Sequence, residues 1–154
     1  MINSFPHAKA TIARHTIFMV EFLSGEFEFM EITAIATENA PAAIGPYSQA
    51  KIFGGMVFTS GQIPLDPSTG EIVGNEITRQ AEQSCKNIGE ILKAAGSSLE
   101  KALKTTCFLA DMNDFAKFNE VYEKYFTGKP ARSCVAVKTL PKNVLCEIEA
   151  IACL

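Results

Sequence analysis

Four polar features interrupt runs that are otherwise apolar, and two of them suit chemistry on a small anion. Arg132 opens a strand-like run after Pro130, and a guanidinium there can bind a carboxylate or phosphate through paired hydrogen bonds. Glu147 and Glu149 interrupt the last apolar run and share one face by the period of two. One of them can therefore be a partly buried carboxylate that acts as a general base. The alternatives are a surface ion pair between Arg132 and one of these carboxylates, or two carboxylates that face water.

The other two features involve amides and a glycine. Asn119 stands within the apolar stripe of a helix, where it either faces solvent at the helix edge or reaches the end of the sheet. Ser60, Gly61 and Gln62 end a strand, and a glycine there lets a ligand approach the backbone closely. A β-bulge accounts for Gly61 equally well.

The positions of histidine and cysteine exclude nucleophilic triads and zinc sites. Both histidines, His7 and His15, lie near the start, so no downstream histidine can activate a serine or cysteine nucleophile. The five cysteines are an odd number without a C-x-x-C pair, which rules out a zinc site built from Cys and His pairs. They are predicted to be reduced, intracellular core residues: Cys85, Cys107, Cys134, Cys146 and Cys153.

Composition indicates one folded domain. The 154 residues carry 14 Lys and Arg against 17 Asp and Glu, and 47% of them are apolar. The pI near 5.4 argues against a general nucleic-acid binder, which has a basic surface. No apolar stretch without a charge reaches about 18 residues, so no transmembrane span is predicted.

Hydrophobic periodicity predicts an α/β (α+β) domain, in which a mixed sheet of about six strands carries two helices on one face. From Glu31 the order is β-β-β-α-β-α-β-β. The predicted strands are 32–37, 48–53, 56–63, 102–110, 131–139 and 145–153, and the predicted helices are 77–95, capped by Asn75, and 114–126, capped by Asn113. A hairpin turn is expected at Gly54-Gly55, and a turn at 140–143 joins the last two strands. The uncovered face of the sheet must pack on something, and a second copy of the chain is the expected cover.

Residues 1–30 differ from the remainder and are predicted to be an extension of a single domain at 31–154. They hold five of the eleven Phe residues. Residues 16–22 and 26–32 have the pattern of two strands around a short turn at 23–25. Two alternatives stay open, namely an organelle-targeting segment, because the start is basic and poor in acids, or translation that begins at Met30.

Five ordered stretches together resemble one protein family. They are IATENAPAAIGPYSQA at 35–50, TSGQIP at 59–64, NDF at 113–115, PARSC at 130–134 and EIEAIA at 147–152. From about Ile32 to the C-terminus the chain resembles the RidA family (YjgF, reactive intermediate deaminase). The resemblance implies a chorismate-mutase-like fold, a homotrimer with a site in each subunit cleft, and no metal or cofactor. It also implies deamination of 2-imino acids such as 2-iminobutanoate and 2-iminopropanoate.

The same resemblance assigns roles to particular residues. It implies that Arg132 binds the substrate carboxylate and that Glu147 positions and activates water. It implies a further set that lines the pocket or contacts the substrate: Tyr47, Ser60, Gly61, Asn119 and Cys134. The register between Arg132 and Glu147 is not fixed by the sequence, and a site shared between subunits would bring them together.

The chain departs from the family pattern in the loop before Pro130. The segment 127–129 is short, and Lys129 stands where members of the family often carry an aromatic residue. Substrate access or side-chain preference is therefore expected to differ at this point.

Two other functions compete with the deaminase. One is a single-strand endoribonuclease or translation inhibitor, which the acidic pI and the lack of stacking aromatics beside a basic groove disfavour. The other is a trimer that binds 2-keto acids at Arg132 without catalysis. The expected partners are a small 2-imino or 2-keto acid and further copies of the chain, without membrane and without nucleic acid. The expected location is cytoplasmic, or mitochondrial if residues 1–30 are a targeting segment.

Overall fold

The computed structural model describes residues 13–21 and 27–154, and in these residues one mixed sheet carries two helices. The strands are β1 Ala13–Glu21, β2 Phe27–Ile35, β3 Ala50–Phe53, β4 Met56–Thr59, β5 Ala102–Leu109, β6 Ala131–Ala136 and β7 Cys146–Cys153, and the helices are α1 Ile77–Ala94 and α2 Phe115–Tyr125. Strands β2 to β7 correspond to the six predicted for the domain, and β1, which corresponds to the strand predicted at 16–22, is a seventh at the edge. The predicted fold class is confirmed.

The first two strands form an antiparallel pair that extends the sheet. The segments predicted at 26–32 and 32–37 form the single strand β2, which begins at Phe27 and pairs with β3 from Thr33 onward. The turn predicted at 23–25 lies outside the described residues. The division at residue 30 into extension and domain stays a prediction.

The strand order β1-β2-β3-β4-β7-β5-β6 differs from a simple meander. The last two strands, which the sequence joins by a turn at 140–143, do not pair with each other, because β5 lies between them. Strand β5 runs antiparallel to β7 and parallel to β6. The reason is that α2 carries the chain back over the sheet and delivers β6 parallel to β5, at the outer edge.

The helices lie on one face because each has one apolar stripe. The α1 stripe is fully buried against the sheet and includes Cys85, Ile88 and Leu92.

The helix caps differ from the predicted ones. Helix α1 begins after Glu76 rather than after Asn75, without a side-chain cap. Before α2, a short 3₁₀ turn at 112–114 is capped by Asp111, which accepts a hydrogen bond from the Asn113 N–H.

Alternation along β5 and β7 divides their side chains between two faces. Residues that face the helices are buried, for example Cys107, Leu109 and Ile148. On the opposite face, Phe58 and Val135 are exposed large apolar side chains. We call this second side of the sheet the open face.

Candidate functional site

Arg132 lies on the helix-covered face of the edge strand β6, and α2 fixes its guanidinium. Its Nη1 donates a hydrogen bond of 2.8 Å to Asn119 Oδ1. The guanidinium carbon lies 4.6 Å from the ring centroid of Tyr122 and 5.6 Å from that of Phe115, so two rings pack on the cation. One of the five N–H donors is used by Asn119, and the others remain for an anion. The solvent-edge alternative for Asn119 therefore gives way to contact with Arg132.

Helix α2 can hold Arg132 because Phe115, Asn119 and Tyr122 follow the spacing i, i+4, i+7 along one face. The Tyr122 hydroxyl shares a buried hydrogen bond of 2.6 Å with Thr105 Oγ1 on β5. Burial raises the pKa of Tyr122 to about 12, so the phenol stays neutral beside the cation. Sequence reasoning did not single out Tyr122 for this role. A hydroxyl in a buried stripe, which needs a partner, was the available signal.

An open cavity of about 710 Å³ adjoins the guanidinium. Its lining includes Asn119, Tyr122, Glu123, Thr127, Lys129 and Arg132. The alternative of a surface ion pair between Arg132 and Glu147 or Glu149 is not found among the residues that the structure describes, where the observed ion pairs belong to α1. The cavity therefore presents a guanidinium without a carboxylate partner.

Cys134 lies two residues after Arg132 on the same face, opposite Cys107 in the β5–β6 ladder. Burial raises the pKa of the Cys134 thiol, and the nearby Arg132 offsets part of this effect. Burial also raises the pKa of Cys107 to about 12. Both thiols therefore stay protonated near neutral pH, as the sequence suggested for core cysteines rather than nucleophiles. Arg132, Asn119 and Cys134 form one set, which we call the arginine group.

Glu147 lies on the open face of β7, and Gly61 leaves room for its side chain. Gln62 and Ile148 exchange backbone hydrogen bonds of 2.8 and 3.2 Å, which bring residue 61 directly over Glu147. A Cβ at Gly61 would overlap the carboxylate and lie 2.8 Å from Glu147 Cδ. The close approach foreseen at Gly61 is thus made by a carboxylate of the same chain.

Burial raises the pKa of the Glu147 carboxyl, and the negative charge of Glu149 on the same face raises it further. A carboxylate with a raised pKa is a stronger base than an exposed one, so it is better suited to take a proton from water. The Glu147 side chain is half-buried, and no ion pair with another described residue neutralises it. These properties fit the role that the sequence predicts for Glu147.

Ser60 and Tyr47 lie on the same side as Glu147. Ser60 Oγ donates a hydrogen bond of 2.7 Å to the Ser48 carbonyl, which ties β4 to the loop before β3. Tyr47 is 48% exposed, and its hydroxyl accepts a hydrogen bond of 3.3 Å from the Ile44 N–H. Both residues line one open cavity of about 1040 Å³, together with Phe58 of the open face. Tyr47, Ser60, Gly61 and Glu147 form the second set, the carboxylate group.

The loop that carries Tyr47 is held by Gln49, which sequence reasoning did not single out. The buried Gln49 amide accepts a hydrogen bond of 2.6 Å from the Thr37 N–H. It donates to the carbonyls of Thr37, Ala40 and Pro41 at 3.0, 3.2 and 2.8 Å. The local sequence gives no signal for this role, because Gln49 follows the polar Ser48 and precedes the first residue of β3, Ala50.

The two groups lie on opposite faces of the sheet. Thr105 faces the helices, since it bonds Tyr122, and it lies opposite both Arg132 on β6 and Ala150 on β7. Glu147 precedes Ala150 by three residues, an odd number, so its side chain points to the other face. The structure therefore does not bring Arg132 and Glu147 together within one chain.

The described part of the chain contains neither a cluster of metal-ligating side chains nor a membrane-spanning helix. Among residues 13–21 and 27–154, no group of three or more His, Cys, Asp or Glu side chains is arranged to hold a metal ion. No helix of the same segments is long and apolar enough to cross a membrane.

Comparison with known proteins places the chain in a family. The sequence model of the family named Endoribonuclease L-PSP matches residues 37–154. A RutC family protein of Pyrococcus horikoshii is 60% identical over 119 residues, which cover 77% of this chain and 94% of that protein. A 2-iminobutanoate/2-iminopropanoate deaminase of Salmonella typhimurium is 56% identical over 122 residues, with the same two shares. The crystal structure of Escherichia coli TdcF with bound serine is 50% identical, covers 79% of this chain and 98% of its own, and superposes with a TM-score of 0.75. The chain therefore belongs to the Endoribonuclease L-PSP family, which is the RidA/YjgF family.

Proposed function

We propose that this protein is a deaminase that hydrolyses reactive 2-imino acids, including 2-iminobutanoate and 2-iminopropanoate, to 2-keto acids and ammonia. The observation that carries the proposal is the Arg132 guanidinium, which is fixed by Asn119 and two aromatic rings and pairs with no carboxylate of the described residues. Such a group suits the carboxylate of a small acid. The name of the 56% identical Salmonella typhimurium relative supports the reaction.

The reaction needs little beyond positioning and one base. Arg132 would hold the substrate carboxylate, and Glu147 would take a proton from a water molecule that adds to C2 of the protonated imine. The carbinolamine then receives a proton on nitrogen and loses ammonia, while its hydroxyl proton leaves and the C=O bond forms. One water is consumed, and one keto acid and one ammonia are released. Tyr47, Ser60, Gly61, Asn119 and Cys134 would shape the pocket around these two residues.

We further infer that the active assembly is a homotrimer in which each site takes its arginine group from one subunit and its carboxylate group from another. The opposite faces of Arg132 and Glu147 support this inference, since one chain cannot present both to one small substrate. Exposed Phe58 and Val135 on the open face support a cover by a second copy.

The deaminase is tested by following ammonia release from 2-iminobutanoate that a threonine dehydratase generates in situ. We expect acceleration by the wild-type protein and its loss in both Arg132→Ala and Glu147→Gln. No acceleration by well-folded wild-type protein contradicts the proposal. If the wild-type protein binds 2-oxobutanoate through Arg132, so that Arg132→Ala loses this binding, but accelerates no ammonia release, the binding-only function is favoured instead.

Mixing the two inactive variants tests the shared site. If a site uses Arg132 of one subunit and Glu147 of the next, co-refolding equal amounts of Arg132→Ala and Glu147→Gln restores about a quarter of the sites. Sites built within single chains would stay inactive in every mixture. Light scattering of the same samples measures whether the assembly is a trimer.

A further inference from the structure

The loop after α2 places a second cation beside Arg132. Five residues, 126–130, join α2 to β6. Within that loop the exposed Lys129 lines the same cavity of about 710 Å³ as Arg132. In the described part of the chain Lys129 forms no ion pair, since the observed pairs join Glu82 to Lys86 and Glu90 to Lys93.

The backbone of this loop determines where Lys129 stands. Lys129 has a φ of +51°, in the left-handed region, and its N–H donates a hydrogen bond of 3.1 Å to the Phe126 carbonyl. The preceding Gly128 packs on the backbone of Glu100, where a Cβ would lie 2.5 Å from the carbonyl oxygen. Glycine is therefore required at 128, and the loop is held at both points. The fixed loop therefore holds the backbone of Lys129 in one position, three residues before Arg132.

The charges of the cavity are unequal. Arg132 and Lys129 are positive, and among the described residues that line the cavity Glu123 is the one carboxylate. A substrate with one carboxylate uses the guanidinium and leaves the lysine without an anion. A substrate with a second carboxylate can place that group beside the Lys129 ammonium. This ammonium is a point charge with rotatable donors on a flexible stem.

We propose that Lys129 is a specificity-determining residue that favours 2-imino acids with a second carboxylate on the side chain, such as the imines of aspartate and glutamate. The inference rests on the proposed function, because it assumes that Arg132 takes the carboxylate next to the imine. Lys129 then attracts the distal carboxylate. The hydrolysis itself is unchanged: water adds to C2, ammonia leaves, and a 2-oxo diacid forms.

Two imines with the same chain length test this proposal. An amino-acid oxidase with catalase converts glutamate to 2-iminoglutarate and norvaline to 2-iminopentanoate. The first imine ends in a carboxylate, and the second ends in a methyl group. The readout is the ratio of kcat/KM for the two imines. We expect Lys129→Met to lower this ratio about fivefold, the upper range for one exposed ion pair. Lys129→Glu should lower it further, and Lys129→Arg should retain it.

Lys142 offers a matched control. It is also an exposed lysine with a left-handed backbone, at φ +55°, and it does not line the cavity. Lys142→Met should leave both rate constants and their ratio unchanged. An unchanged ratio in Lys129→Met overturns the proposal and leaves the deaminase intact.

Product binding separates this proposal from the proposed function. Calorimetry compares the affinity for 2-oxoglutarate with that for 2-oxopentanoate and needs no turnover. The same fivefold fall in the ratio is expected in Lys129→Met, even if the wild-type protein hydrolyses no imine. An equal ratio in wild type and variant refutes the role of Lys129 whatever the activity.

Discussion

The arginine group and the carboxylate group differ in how much of their environment one chain supplies. Arg132 is held by three residues of a single helix, with an amide on one side and rings on the others. Glu147 is placed by the sheet, with Gly61 packed against it, and no cation within the described segments pairs with it. The first group is thus preorganised to bind an anion, and the second keeps a carboxylate basic. The two groups lie on opposite faces of the sheet, so one chain does not bring them to the same small substrate.

The largest expected effect comes from Arg132→Lys, which keeps the charge but removes the planar donors and the ring stacking. We expect kcat/KM for 2-iminobutanoate to fall about 100- to 1000-fold, the range for losing a fixed charged hydrogen-bonding group. Arg79→Lys on α1 is the matched control and should keep its activity. A loss below about tenfold would mean that a simple positive charge suffices and that packing on the Phe115 and Tyr122 rings is unimportant.

Gly61→Ala tests whether the carboxylate group depends on the close approach at residue 61. The new Cβ displaces the Glu147 carboxylate, and a misplacement near 1 Å lowers rates by about 100-fold. We expect kcat to fall while 2-oxobutanoate binding changes little, because Arg132 is untouched. Gly89→Ala, which meets only the tip of Leu99, is the control. Wild-type kcat in Gly61→Ala would show that Glu147 needs no fixed position.

Tyr122→Phe separates the role of the ring, which packs on Arg132, from that of the hydroxyl, which bonds Thr105. It leaves the buried Thr105 hydroxyl without its partner, so we expect the free energy of unfolding to fall by about 1–2 kcal/mol. Turnover should change little, since the ring still packs on Arg132. Denaturant unfolding measures the first effect. The double variant Thr105→Val with Tyr122→Phe should recover part of the loss, and its failure to do so would argue that the hydrogen bond is not the cause.

Glu149→Gln gives the smallest effect, a change in pH dependence. Glu147 must be ionised to accept a proton, so activity is lost as the pH falls through its pKa. Burial and the charge of Glu149 raise that pKa, and removing the charge therefore moves the acidic limb of kcat to lower pH. The pH profiles of wild type, Glu149→Gln and the loop control Glu71→Gln provide the comparison. An unmoved limb, or a move to higher pH, would contradict the assignment of Glu147 as the base.

Local pattern predicted the elements well and their ends less well. The α1 stripe predicts a helix at 77–95, and the helix spans Ile77–Ala94. The predicted caps Asn75 and Asn113 were wrong, because neither side chain closes its helix and Asp111 caps the turn before α2 instead. The residue that caps a helix is the one whose side chain reaches a backbone N–H left unpaired after packing. Which N–H groups stay unpaired depends on the tertiary structure and not on the local sequence.

By itself the sequence determined the family, the strands and helices, and the residues that could do chemistry: a guanidinium after Pro130, a carboxylate in the last strand and a glycine that permits close approach. Only the tertiary structure decided their relation. Insertion of β5 between β6 and β7 puts Arg132 and Glu147 on opposite faces. The Tyr122 ring packs on Arg132, and Gly61 packs against Glu147, only because segments distant in the sequence come into contact in the fold. The physical reason is that periodicity fixes which residues share a face within one element, whereas strand order and register come from contacts between segments far apart in the chain.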